Sequence, residues 1–322
     1  MRFRKELETT LCALAAAIGP VMVTGLEFRL YAGDGAAPWL RLCVMCAMFG
    51  LLCAMEGHFR GRNGMVLPAR ACPDRGLSYW GVVLGVSAFA LRSCAHGGLL
   101  LLPVRYAGVL AALLSLGVAS IANRKAVCIS GALTVALVAT FFTALACLAS
   151  RHAMHPAPFG AQDHGFGWVV LPLIACLRAC VAQSAFLPKS HVDFPAIFGI
   201  MCALGLCACL APGLAAMRLA ENAVLPGAAM AVQLGKAGHN IAASLMWFSA
   251  WSVLGAGMRA LREKIGTRAA ILSVLSLAIL FCDSRIAMFA AAAALLCGLK
   301  IAILPAWWLS EKLCCVKFQK HD

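Results

Sequence analysis

Arg178 and Lys236 are the residues of this sequence best placed to do chemistry. Each is a cation inside a long apolar run, where insertion costs about 2.5–3.5 kcal/mol on translocon scales, so it needs a partner or a task. Arg178 lies near the centre of Trp168 to Leu187, too far from either end for easy snorkelling, with Gln183 five residues on. Lys236 sits between Gly235 and Gly238 and is followed by His239 and Asn240. Together Arg178, Gln183, Lys236, His239 and Asn240 form a candidate cavity lining for an anionic or hydrogen-bonding solute. The plainer reading has Arg178 binding carbonyls freed around Pro172, or a lipid headgroup, and Lys236 lying in a loop. Arg41, Arg105 and Lys300 fall nearer run ends and are expected to snorkel.

Other reactive residues point less far. None of the 13 carboxylates falls mid-membrane, which argues against a proton- or sodium-coupled carrier, since such carriers exchange their ion on a buried acid. His152, His155, Asp163 and His164 share one loop, but their spacing matches no recurrent zinc site, so no metal and no cofactor is expected. Cys43 and Cys46 share an apolar helix face and read as small apolar residues rather than a redox pair. Cys314 and Cys315, beside Lys312 and Lys317, are candidates for S-palmitoylation. No phosphate loop, zinc-protease helix or nucleophile elbow appears, so an enzyme is not expected.

The elements that must hold these residues are membrane helices. The chain has 322 residues, of which 62% are hydrophobic and 12% charged, and its mean hydropathy is +0.88. No soluble domain has that composition. Apolar runs at 10–27, 38–55, 78–95, 98–122, 126–149, 166–187, 194–217, 223–257, 268–284 and 286–308 give an all-α polytopic bundle of about ten spans, or eleven if 223–257 counts twice. This is one integral domain, 1–322, with halves 1–188 and 194–308 about a short hinge and a basic tail at 309–322. The net charge of +14 does not imply nucleic acid, because the cations lie between the runs rather than on one patch. Arg259, Arg262, Lys264 and Arg268 are the densest group and determine the topology. With them inside, both termini are cytoplasmic, and basic residues concentrate at 1–9, 56–77, 123–125, 188–193, 258–268 and 309–322. That choice makes 223–257 a broken helix: a short or re-entrant piece, an unwound Gly235 to Asn240 segment, and a full crossing. Gly81 and Gly85 offer a small-xxx-small face for helix packing.

Two families are similar in part. Met258 to Arg268, MRALREKIGTR after Gly255 and Gly257, resembles the cytoplasmic loop motif of major-facilitator carriers. It departs from that motif in lacking the aspartate, for which Ala260 or Glu263 stands nearest. Leu225 to Asn240, LPGAAMAVQLGKAGHN, and Phe281 to Ile303, FCDSRIAMFAAAAALLCGLKIAI, before a basic tail resemble the multi-spanning membrane protein of alphaherpesviruses encoded by gene forty-three of the unique long region. The long polar insertion between halves found in some of those proteins is missing here. That resemblance implies a multi-pass component of the viral envelope or host membrane, without settled biochemical activity and compared in shape with nucleoside carriers. The expected partners are the lipid bilayer and other membrane proteins; the alternative is a facilitative transporter for a small polar or anionic solute. A bacterial source would instead suggest an inner-membrane permease subunit working beside an ATPase. Single-site tags beside Arg262 and within 309–322 should be labelled from the same membrane face; labelling from opposite faces would overturn this topology.

Overall fold

In the computed structural model the described residues are 2–24, 28, 38–61, 77–102, 104, 106–151, 171–172, 174–179, 181–182, 192, 194–217 and 231–280. Their long elements are eight α-helices: α1 (Arg2–Thr24), α2 (Pro38–Gly61), α3 (Leu77–Leu101), α4 (Ala107–Ile121), α5 (Arg124–Arg151), α6 (Pro195–Ala216), α7 (Lys236–Ile265) and α8 (Thr267–Leu280). Hydrocarbon offers no hydrogen-bond partner to a backbone, and a helix satisfies its own. Among the described residues five stretches are long and apolar enough to cross a bilayer: Pro38–His58, Trp80–Leu101, Arg124–Arg151, Pro195–Ala216 and Ala237–Ile265. Those residues include no strand, and the apolar helices make this a helical membrane protein.

Local signals set several helix ends. Pro38 and Pro195 stand at first helical positions, where the missing N–H removes nothing from the ladder. Asn123 caps α5 by accepting the Ala126 N–H on its side-chain oxygen at 2.9 Å. Glycine works differently in its two settings. Gly97 and Gly98, which the hydropathy runs treat as a boundary, lie inside α3, and the corner falls after Leu101. A Cβ on Gly97 would stand 2.8 Å from the Trp247 Cβ, so this glycine brings α7 close instead of breaking α3.

The broken-helix expectation needs correcting at one point. Lys236 to Asn240 are the first turns of α7 rather than an unwound segment. The break precedes them, in a turn at Gln233 and Leu234 and at Gly235, whose φ of 78° is open to glycine at no cost. A second left-handed glycine, Gly266 with φ 82°, separates α7 from α8. Residues 223–230 lie outside the described residues.

α1 is the buried centre of the bundle. Seven consecutive residues, Cys12 to Ile18, are all buried, so over these two turns α1 packs on every side, and its neighbours are α5, α6 and α7. Its alanines suit that position because they let neighbours approach. Around it, α2 pairs most extensively with α6 and α3 with α7, so helices from before and after residue 188 interleave. Much of α4 faces outward through Val109, Leu110, Leu113, Leu114 and Ile121, as a lipid-exposed surface would.

The tightest crossing joins α2 to α6. A Cβ on Gly50 would stand 2.5 Å from the Gly199 carbonyl oxygen and 2.6 Å from the Ala203 Cβ; one on Gly199 would meet the Gly50 oxygen at 2.5 Å and the Ala54 Cβ at 2.6 Å. Gly50 with Ala54 and Gly199 with Ala203 are thus two small-xxx-small pairs laid against each other, antiparallel. Gly81, the expected site of such a contact, has no atom within 4 Å of its notional Cβ. Gly50→Val or Gly199→Val must push backbone against backbone, at a cost of about 1–3 kcal/mol or more. Thermal unfolding in detergent should show a clear loss of midpoint for both, and none for Gly81→Val.

Candidate functional site

Arg178 lies on helical backbone at 174–179 and is 4% exposed. Its guanidinium donates from Nη1 to the carbonyl oxygen of Ala17 in α1, and Cys209 of α6 lies close enough to feel its charge. The acceptor lies in α1, where the sequence pointed to a carbonyl around Pro172. The carbonyl that Pro20 leaves without a helical donor is the preceding one, that of Ala16.

The other proposed lining residues are not drawn to the same place among the described residues. His239 and Asn240 are exposed on the first turns of α7. Lys236 is the first residue of that helix. Gln183, Cys314 and Cys315 lie outside the described residues, as do His152, His155, Asp163 and His164. Arg41, expected to snorkel, is buried at 5%.

Of the basic cluster at 259–268, Arg262 and Lys264 reach other helices. Arg262 donates from Nη1 to the Ser120 oxygen at 2.7 Å and from Nη2 to the Ala122 oxygen at 3.3 Å. These carbonyls close α4, where helix geometry leaves acceptors unserved and the macrodipole favours a cation. Arg259 pairs with Glu263 one turn on at 3.4 Å. The Lys264 ammonium stands 6.0 Å from the centroid of the Trp80 ring, at the start of α3. Arg268 is exposed on the first turn of α8.

Two buried carboxylates at this same end were not singled out from sequence. Glu6, in α1, accepts the Phe194 N–H at 3.3 Å, placing its charge at the N-terminus of α6, where the dipole welcomes an anion. Glu56 is 4% exposed near the end of α2, one residue before Gly57, whose notional Cβ would meet Val192 at 3.3 Å. The starts of α1, α3, α5 and α6 and the ends of α2, α4 and α7 therefore gather at one polar end. At the other end a cavity of about 250 Å³ is lined by Pro38, Trp39, Ala146, Ala149, Ser150, Leu214 and Ala215. Its lining carries no charge.

No protein-family model matches this chain, and no curated protein matches it.

Replacing Arg262 by Met removes a charge-assisted donor from two helix-end carbonyls, a loss of about 1.5–3 kcal/mol. Arg259→Met removes an i,i+4 pair within a single helix, its arginine 11% and its glutamate 30% exposed, worth about 0.3–0.5 kcal/mol. The ranking is checked by thermal unfolding of both variants in the same detergent, where equal losses would contradict the helix-end role of Arg262.

Proposed function

We propose that this chain is a multi-pass membrane component without enzymatic activity, acting through contacts with other membrane proteins in a viral envelope or host membrane, with its polar end and both termini in the cytoplasm. The observation that supports this reading is where the interior polar side chains point. Ser87, Ser115 and Thr134 donate to carbonyls four residues back, at 2.7, 2.6 and 2.8 Å. Ser130 donates to the carbonyl three back at 2.9 Å. The Trp247 indole N–H is taken up by Ser115 Oγ at 3.1 Å, and Arg178 by Ala17. Polar groups engaged with their own or adjacent helices serve packing; a solute path needs some that face a lumen. The outward apolar surface of α4 offers contact to lipid or to another spanning helix.

One observation favours the facilitator reading. α7 begins at Gly235 without a side-chain cap, its first turns carry Lys236, His239 and Asn240, and a helix N-terminus suits an anion. Reconstitution decides between the two. Proteoliposomes of the pure chain, offered labelled nucleosides and inorganic anions, should take up no more than protein-free vesicles. Lys236→Leu should leave abundance and cellular phenotype unchanged, whereas Arg178→Leu, which removes the donor to the Ala17 carbonyl, should lower abundance. Saturable uptake, lost in either variant at normal abundance, would overturn the interaction reading and establish the facilitator.

A further inference from the structure

Cysteines of neighbouring helices meet three times among the described residues: Cys12 with Cys128 between α1 and α5, and Cys46 with Cys207 and Cys53 with Cys202 between α2 and α6. The three pairs differ in reach. Cys53 and Cys202 are buried at 2% and 0% inside the Gly50 and Gly199 crossing, and Cys46 is buried further along the same contact. Cys12 and Cys128 lie at the polar end. Cys128 is one turn beyond Arg124 and is half-buried; Cys12 beneath it is buried. Their sulfurs are 2.9 Å apart, within about 1 Å of the ~2.05 Å disulfide bond length.

The helices already stand at the separation that a bond needs. Gly131 follows Cys128 by one turn, and a Cβ there would lie 3.0 Å from the Ala15 Cβ, 3.1 Å from the Leu11 oxygen and 3.5 Å from the Cys12 Cα. No side chain stands between the backbones at this level. Only small side-chain rotations separate the two thiols from bonding distance.

We propose that Cys12 and Cys128 form a dithiol modification site, which a hydroperoxide converts into a disulfide tying α1 to α5 at the polar end of the bundle. The more accessible sulfur reacts first. The Cys128 thiolate attacks the terminal peroxide oxygen; an S–O bond forms, the O–O bond breaks, and the departing alkoxide or hydroxide leaves as the alcohol or water with the thiol's proton. The Cys12 sulfur then attacks the sulfenic sulfur of Cys128; the S–S bond forms, the S–O bond breaks, and water leaves with the Cys12 proton. Two electrons pass from the sulfur pair to the peroxide. The bond fixes the central helix to a neighbour, and thiol exchange with a small dithiol reverses it.

The full chain in lipid nanodiscs is titrated with hydrogen peroxide, blocked with N-ethylmaleimide, digested with trypsin and mapped by mass spectrometry. The expected first product links the peptide Glu6–Arg29 to Ala126–Arg151, consumes two thiols per chain and is reversed by dithiothreitol. Cys128→Ser abolishes the link, and Cys12→Ser leaves Cys128 trapped by dimedone as a sulfenic acid. Cys12→Ala is prepared alongside, in case a buried hydroxyl disturbs folding, and the linkage map of the unsubstituted chain decides the matter even if every variant fails to fold. Peroxide that leaves both thiols free, a first disulfide at Cys46 and Cys207, or sulfinic acid on Cys128 with Cys12 still reduced would each overturn the assignment.

Discussion

Helices in lipid gain little by hiding apolar surface from their surroundings, because the acyl chains are as apolar as leucine. What holds them together is close backbone approach, and this bundle achieves it with glycine, alanine and cysteine at its crossings. Gly50 against Gly199 is the tightest case. Gly131 against Leu11 and Ala15, Gly205 against Leu14 and Gly97 against Trp247 repeat it around the central helix. The composition of α1 answers the same demand: CALAAAI, Cys12 to Ile18, can be buried on all sides because its small side chains admit three neighbours at short range.

Charge is used sparingly and against the backbone. Carbonyl dipoles serve the guanidinium groups of this bundle: Arg178 donates to Ala17, and Arg262 to Ser120 and Ala122. Arg178 meets one beside Pro20 within a helix; Arg262 meets two at the end of another. Glu6 does the converse at the start of α6, where N–H groups face outward. Arg262 and Glu6 thereby serve backbone groups that the helix ends leave over.

How much was legible in the sequence depends on what each feature needs. α2, α5 and α6 begin close to the edges of their hydropathy runs because Pro38, Asn123 and Pro195 are local signals, complete within a few residues. The end of α3 was misplaced because Gly97 reads as a breaker in isolation, while its role is to admit Trp247 from a helix 150 residues later. The same ambiguity affects Gly235 and Gly238: only the first takes a left-handed φ, and the second is an ordinary helical residue. The burial of Glu6 and Glu56, and the thiol pairs, required knowing which helices are neighbours. No periodicity within one segment carries that information. The basic cluster was legible as a group, but its bond to α4 was not.

α7 has 30 residues, about 45 Å at 1.5 Å per residue, against a hydrocarbon slab of ~30 Å. A rod that much longer than its slab must lean over or stand proud of it, and Lys264 and Arg262 occupy the overhang. In a thin membrane the overhang lengthens and its cations can reach acidic headgroups; in a thick one they are drawn toward the acyl chains. Since Arg262 also grips α4, bilayer thickness acts directly on the joint between two helices. Membranes of differing thickness, such as those a protein meets between synthesis and its destination, would hold that joint under different strain.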